Sequence, residues 1–176
     1  MTDLQQIRTR WYITSLVALA EFGHLAWEHF HGGVLSHHLL NRADLPAISN
    51  MWGAIFLPAL AWFLSRRFLK RAASPRATRT IAASLFGSLL IGLTLAAAFT
   101  NGLADASSHI FLGILLTGLV LPVYRGEYVL GFVLGMTFTF GAMLPTLAAA
   151  FVATVSAIAH YLVWPALGWL AAKARA

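Results

Sequence analysis

The sequence predicts an all-α fold, a polytopic transmembrane bundle of six helical spans in a single domain, residues 1–176, with both termini in the cytoplasm. Composition is the first observation behind this prediction. Hydrophobic residues make up 59% of the chain and charged residues only 10%, whereas about a quarter of a soluble domain is charged. The mean hydropathy is +0.75. The other two observations are the lengths of the apolar segments and the placement of the basic residues.

Six apolar segments have about the length that a membrane-spanning helix needs. About 20 residues cross roughly 30 Å of hydrocarbon. The boundary between the last two segments depends on Pro145, which disfavours a helical conformation for Leu144 and predicts a tight reversal there. The predicted spans are residues 11–30, 46–65, 80–100, 106–124, 128–145 and 147–171.

The basic residues set the predicted orientation. With a cytoplasmic N-terminus, Arg42 is the one residue among the 12 Lys and Arg residues that lies outside, as the positive-inside rule requires. We therefore expect a protein of a bacterial-type cytoplasmic (inner) membrane, with the lipid bilayer as its partner. Faces rich in small residues allow a homo-oligomer. Because this topology accounts for the net charge of +6, no nucleic-acid partner is expected.

The first span contains an unusual density of ionisable side chains in the sequence EFGHLAWEHFH. Each costs at least a few kcal/mol in a bilayer unless it is paired or hydrated. At about 100° per residue of helix, four of these side chains share one stripe about 80° wide. They are Glu21, His24, Glu28 and His31, while His29 lies outside the stripe. The stripe predicts one wall of a polar site that opens to the outer face.

The predicted topology brings other polar residues to the outer half of the bundle, and His160 to a deeper level. The complete candidate site, or proton or ion pathway, is Glu21, His24, Glu28, His31, Asn50, Asn101, Asp105, Ser108, His109 and His160. Residues 31–46 join the first two spans on the outer side. His37 and His38 are expected there, in a lid over the site or in a plain connecting loop.

Transport or conduction of a proton, a metal cation or a small polar solute is the leading functional hypothesis. It depends on histidine, which changes charge near neutral pH. An evident polar path through the inner half of the bundle is the missing part of this hypothesis.

The alternative is a metal-dependent membrane-embedded enzyme that acts on a lipid or another hydrophobic substrate. Because the chain has no cysteine, zinc or iron would need nitrogen and oxygen ligands. His24, His109 and His160 are the candidate ligands. A third interpretation is haem held by two of these histidines, or a polar cluster with a purely structural role.

Overall fold

The computed structural model describes residues 3–38, 42 and 44–174, and within them the chain forms six helices and one short β-hairpin. The elements are α1 (Asp3–Phe30), β1 (Ser36–His38), β2 (Ala47–Ser49), α2 (Gly53–Arg71), α3 (Pro75–Thr100), α4 (Ala104–Val120) and α5 (Gly126–Phe140). The last helix, α6, begins as Met143–Ile158 and continues through a π-helical segment, Ala159–Val163, into Trp164–Lys173. The predicted all-α class is therefore confirmed.

Two of the described helices, α3 and α6, are both long and apolar enough to cross a membrane. The helices α4 and α5 are apolar over 17 and 15 residues. Helix length and composition thus indicate membrane insertion for two helices and do not by themselves establish six spans.

Contacts between helix ends show that α3 and α5 run in one direction and α2 in the other. The rings of Phe99 and Phe140, which lie at the ends of α3 and α5, are 4.8 Å apart. Arg71 at the end of α2 pairs with Glu127 at the start of α5. The ring of His37 in the hairpin lies 6.3 Å from that of Phe140. Following the predicted orientation, we call the end with the hairpin the outer end and the opposite end the inner end.

The helices α3 and α5 approach each other closely at glycine positions. A Cβ atom added at Gly131 would lie 2.2 Å from the carbonyl oxygen of Leu85, and one at Gly135 would lie 2.3 Å from that of Leu89. Both distances are far below van der Waals contact, so only glycine fits there. Small residues let helix backbones approach in this way where lipid weakens the hydrophobic drive for association.

The second helix begins at Gly53, not at residue 46 as predicted. Ala47–Ser49 instead pairs with Ser36–His38 as an antiparallel hairpin. Ser49 then caps the short 3-10 turn that leads into α2, and its hydroxyl accepts a hydrogen bond from the Met51 amide. Backbone pairing across the hairpin thus overrides the apolar pattern of this segment.

The boundary predicted at Pro145 is also wrong. Pro145 lies in the first turn of α6, where a proline removes no intrahelical hydrogen bond. The reversal occurs at Gly141, whose φ is +66°. Glycine adopts this conformation without the steric cost that other residues meet.

Replacing Gly135 tests the close approach of α3 and α5. Gly135→Ala should lower the free energy of unfolding by about 1–3 kcal/mol, because its methyl group overlaps the α3 backbone. Gly87→Ala is the matched control, since a Cβ atom there meets no atom within 4 Å. Thermal unfolding in detergent, followed by circular dichroism, measures both. Equal melting temperatures for the two variants would contradict the proposed overlap.

Candidate functional site

Two glutamates of α1 are buried against α2 near the outer end, with a histidine between them. Glu21 and Glu28 are each 2% exposed. Nδ1 of His24 lies 3.8 Å from a carboxylate oxygen of Glu21, and Nε2 lies 3.4 Å from Oε1 of Glu28. The spacing of three and four residues turns all three side chains to one helix face. Of the residues in the predicted stripe, these three lie together on one buried face of α1.

Glu28 is bound by the residues that follow α1. The side-chain amide of Asn50, which is 4% exposed, donates a 2.6 Å hydrogen bond to Oε1 of Glu28. The backbone amide of Leu35 donates to the other carboxylate oxygen of Glu28 at 3.3 Å. The backbone amide of Asn50 in turn donates to the Leu35 carbonyl at 2.9 Å. The hairpin connection is therefore held over Glu28. We call Glu21, His24, Glu28 and Asn50 the buried carboxylate cluster.

Two glycines leave space for this cluster. A Cβ atom at Gly53 would lie 1.8 Å from Oε1 of Glu21, and one at Gly141 would lie 2.1 Å from Oδ1 of Asn50. Gly53 begins α2, and Gly141 makes the turn between α5 and α6. The cluster thus requires the absence of a side chain at two positions that are distant in sequence.

Several buried atoms of the cluster have no hydrogen-bond partner among the described residues. They are Oε1 of Glu21 and both ring nitrogens of His24, and Nε2 of His37 beside the cluster is a further case. The two distances from His24 to the carboxylates are somewhat longer than a hydrogen bond of about 2.9 Å. A small approach on either side would make a hydrogen bond, so the imidazole is placed to exchange a proton with both carboxyl groups.

The same face of α1 continues toward the inner end with two polar residues that sequence analysis missed. Oγ1 of Thr14 and Nε of Arg10 are buried, and neither has a hydrogen-bond partner in the described part of the chain. The Arg10 guanidinium lies 3.8 Å from the ring centroid of Trp62 and donates to its carbonyl at 3.2 Å. The sequence feature that could have predicted Thr14 is its seven-residue spacing from Glu21, which repeats between Glu21 and Glu28. This spacing was overlooked because the segment is also typical of a membrane anchor.

The polar residues at the outer end of α4 do not join the cluster. Four predicted site residues are exposed, namely Asn101, Asp105, Ser108 and His109. Nδ1 of His109 donates to the Asp105 carbonyl of its own helix at 2.6 Å. Within α4, all of which the structure describes, Gly118 is the only buried residue. The predicted topology indicated the depth of these residues along the bundle axis, but not the direction in which their side chains point.

His160 lies toward the inner end, away from the cluster. Its Nδ1 is 2.8 Å from the Ser156 carbonyl, and its Nε2 is 3.3 Å from the carbonyl of Val120 at the end of α4. Its ring meets that of Tyr124 at 5.6 Å. Because α6 starts at the outer end, 17 residues of helix, about 25 Å, carry His160 inward.

Of the three remaining histidines in the prediction, His37 approaches the cluster. It is half-buried in β1, whereas His38 is exposed and contacts the Leu45 carbonyl at 2.7 Å. His31 is also exposed and stacks on Trp27 at 4.6 Å. It leaves the stripe because α1 ends at Phe30. The segment predicted as a lid or a connecting loop contains a β-hairpin, and its residues 39–41 and 43 lie outside the described residues.

No three histidine, aspartate or glutamate side chains among the described residues are arranged to hold a metal ion. Of the candidate ligands, His24 lies in the cluster, His109 lies on the exposed face of α4, and His160 lies toward the inner end.

Compared with protein-family models, curated proteins and solved structures, the chain matches none. Its function is therefore inferred from the cluster itself.

Gly141→Ala should displace Asn50 and lower the free energy of unfolding by about 1–3 kcal/mol beyond the effect of the control, because overlap with the Asn50 amide breaks its hydrogen bond to Glu28. The control is Gly102→Ala, which has a similar positive φ of +69° but open space around a Cβ atom. Thermal unfolding in detergent measures the difference. Equal destabilisation by the two substitutions would contradict the role of Gly141 in making space for Asn50.

Acidification should loosen the hairpin. Burial lowers the pKa of His37 below its ordinary value of 6.5, an effect that Glu28 opposes and His24 reinforces. The open hairpin therefore binds a proton at a higher pH than the closed one. The stability contributed by neutral, buried His37 is complete above pH 6.5 and declines as the pH falls from 6.5 through the lowered pKa.

Amide hydrogen exchange in residues 36–38 and 47–49 measures this opening. After correction for the intrinsic rate, exchange should accelerate between about pH 7 and pH 5. His37→Gln should reduce the acceleration, because glutamine does not titrate there. An identical pH dependence in that variant would assign the effect to another group, with Glu28 and His24 as the neighbours to test.

Proposed function

We propose that this chain is an integral membrane protein of six spans, with both termini in the cytoplasm, that transfers protons through the buried carboxylate cluster. Two helices of spanning length support insertion. The charges in α1 and α2 fit the same arrangement. The basic residues of α2 all lie in its last six positions, 66–71, at the inner end. The buried charges of α1 face α2 and the hairpin rather than the outside of the bundle.

The placement of His24 between Glu21 and Glu28 is the observation that supports proton transfer. An imidazole accepts a proton at one ring nitrogen while it releases another from the second. A proton on Glu28 therefore passes to Nε2 of His24, and the proton on Nδ1 passes to Glu21. The separations are 3.4 Å and 3.8 Å, so small side-chain movements complete each step. Proton number is conserved, and the imidazole, left with its proton on Nε2, returns to its starting tautomer by ring rotation.

Access from the outer solution is controlled by the hairpin in this proposal. Asn50 and the Leu35 amide both donate hydrogen bonds to Glu28, and half-buried His37 lies beside it. A proton from outside therefore reaches Glu28 when these contacts open. The exposed His31, one turn beyond Trp27, lies at the entrance.

The inner half of the pathway follows the same face of α1. Thr14 lies two turns inward of Glu21, about 10 Å along the helix, and buried Val17 separates them. The proposal requires water to carry a proton across this interval. Arg10, beyond Thr14, places a permanent positive charge on the path, which opposes the passage of every cation, protons included. The proposed proton transfer is therefore expected to be slow.

Glu21→Gln should slow proton uptake into proteoliposomes at least about tenfold, because the amide has nearly the same shape and cannot relay a proton. A pH-sensitive dye inside the vesicles reports uptake driven by an imposed potassium diffusion potential. Asp44→Asn is the matched control, since this exposed carboxylate pairs with Arg42 outside the cluster. It should leave the rate unchanged.

Three results would overturn the proposal. Wild-type proteoliposomes no more permeable to protons than protein-free vesicles would exclude transfer. Unchanged flux in both Glu21→Gln and His24→Gln would exclude this route. A change in melting temperature alone, without a change in flux, would assign the cluster a structural role.

A further inference from the structure

A crevice of about 640 Å³ lies between α3, α4, α5 and α6, and no residue of the buried carboxylate cluster lines it. Representative lining residues are Gly87 of α3, Gly113 of α4, Phe132 of α5 and Val152 of α6. Its volume is within the range of about 300–1,000 Å³ that is usual for ligand sites. The lining is mainly apolar, so the crevice suits a hydrocarbon chain rather than a polar solute.

The crevice has unused space at its glycines. A Cβ atom at Gly87 or Gly113 would meet no atom within 4 Å, in contrast to the glycines that join α3 to α5. Their lack of a side chain is therefore not needed for packing within the bundle. It leaves room for a chain that lies against both helices.

Two arginines lie beside the inner end of this crevice. Arg76 is one turn before Thr80 on α3, and Arg125 is one turn before Val129 on α5; both Thr80 and Val129 line the crevice. The spacing of four residues places Arg76 on the same helix face as Thr80. Arg125 is the residue before α5, and its carbonyl accepts a hydrogen bond from the Val129 amide at 3.3 Å. Both arginines are exposed, and neither belongs to an ion pair among the described residues.

We propose that this crevice binds one anionic phospholipid of the inner leaflet. One acyl chain lies between α3 and α4, and the phosphate contacts Arg76 and Arg125. Guanidinium groups bind phosphate through charge-assisted hydrogen bonds, and basic residues at the inner surface attract anionic lipids. The inference rests on the proposed membrane insertion but not on proton transfer, so Glu21→Gln should not affect it.

Native mass spectrometry of the full chain, released from detergent with equal amounts of phosphatidylglycerol and phosphatidylcholine of identical acyl chains, tests the proposal. One phosphatidylglycerol molecule should be retained in preference to phosphatidylcholine. Gly113→Leu should abolish the preference by filling the crevice, and Gly87→Leu is the second variant of this kind. Gly23→Leu is the matched control, because Gly23 also has open space around a Cβ atom but lies on α1, outside the crevice.

The arginines are tested by Arg76→Gln and Arg125→Gln, each of which should weaken phosphatidylglycerol binding about fivefold. Arg67→Gln removes the same charge from an exposed inner position on α2 and should have little effect. Equal retention of the two lipids, or equal effects of the three arginine variants, would overturn the proposal. It would also be overturned if Gly113→Leu left lipid binding intact and instead dissociated a dimer, because a second copy would then occupy the crevice.

Discussion

The burial of two glutamates on one face of α1 is the constraint on which the outer half of this protein depends. A buried carboxylate is costly unless its oxygens have donors. Glu28 obtains them from Asn50 and from the Leu35 amide. The hairpin connection, the start of α2 and the turn at Gly141 must therefore all lie close to α1. Glu21 adds a second requirement, since its side chain occupies the space that a side chain at residue 53 would fill.

A third buried glutamate shows how a structural carboxylate differs from these two. Glu127 at the inner end is also 2% exposed, but it pairs with Arg71, whose charge is permanent. This pair holds α2 against α5 and has no reason to exchange a proton. Glu21 and Glu28 instead share His24, and an imidazole can accept a proton at one ring nitrogen and release one from the other. The chemical nature of the partner, rather than burial alone, is what supports the proposed proton transfer in the outer cluster.

The stripe of Glu21, His24 and Glu28 was predictable because it depends on helical geometry within one continuous element. The same geometry failed for His31, which lies one residue beyond the end of α1. His109 and His160 were misplaced for a different reason. Residue depth follows from counting along a span, but the direction of a side chain depends on which neighbour the helix packs against. Thr14 and Arg10 were missed because an N-terminal basic and apolar segment is also typical of a simple anchor.

Composition and periodicity by themselves determined the helical class, the approximate number and order of the helices, and the polar face of α1. These features depend on local hydrogen bonding and on side-chain spacing along a single segment. Only the tertiary structure decided which polar residues meet. Asn50 and Gly141 reach the cluster through pairing of residues 36–38 with 47–49 and through a turn with positive φ. Such contacts depend on close approach between segments distant in sequence, and no local pattern encodes that approach.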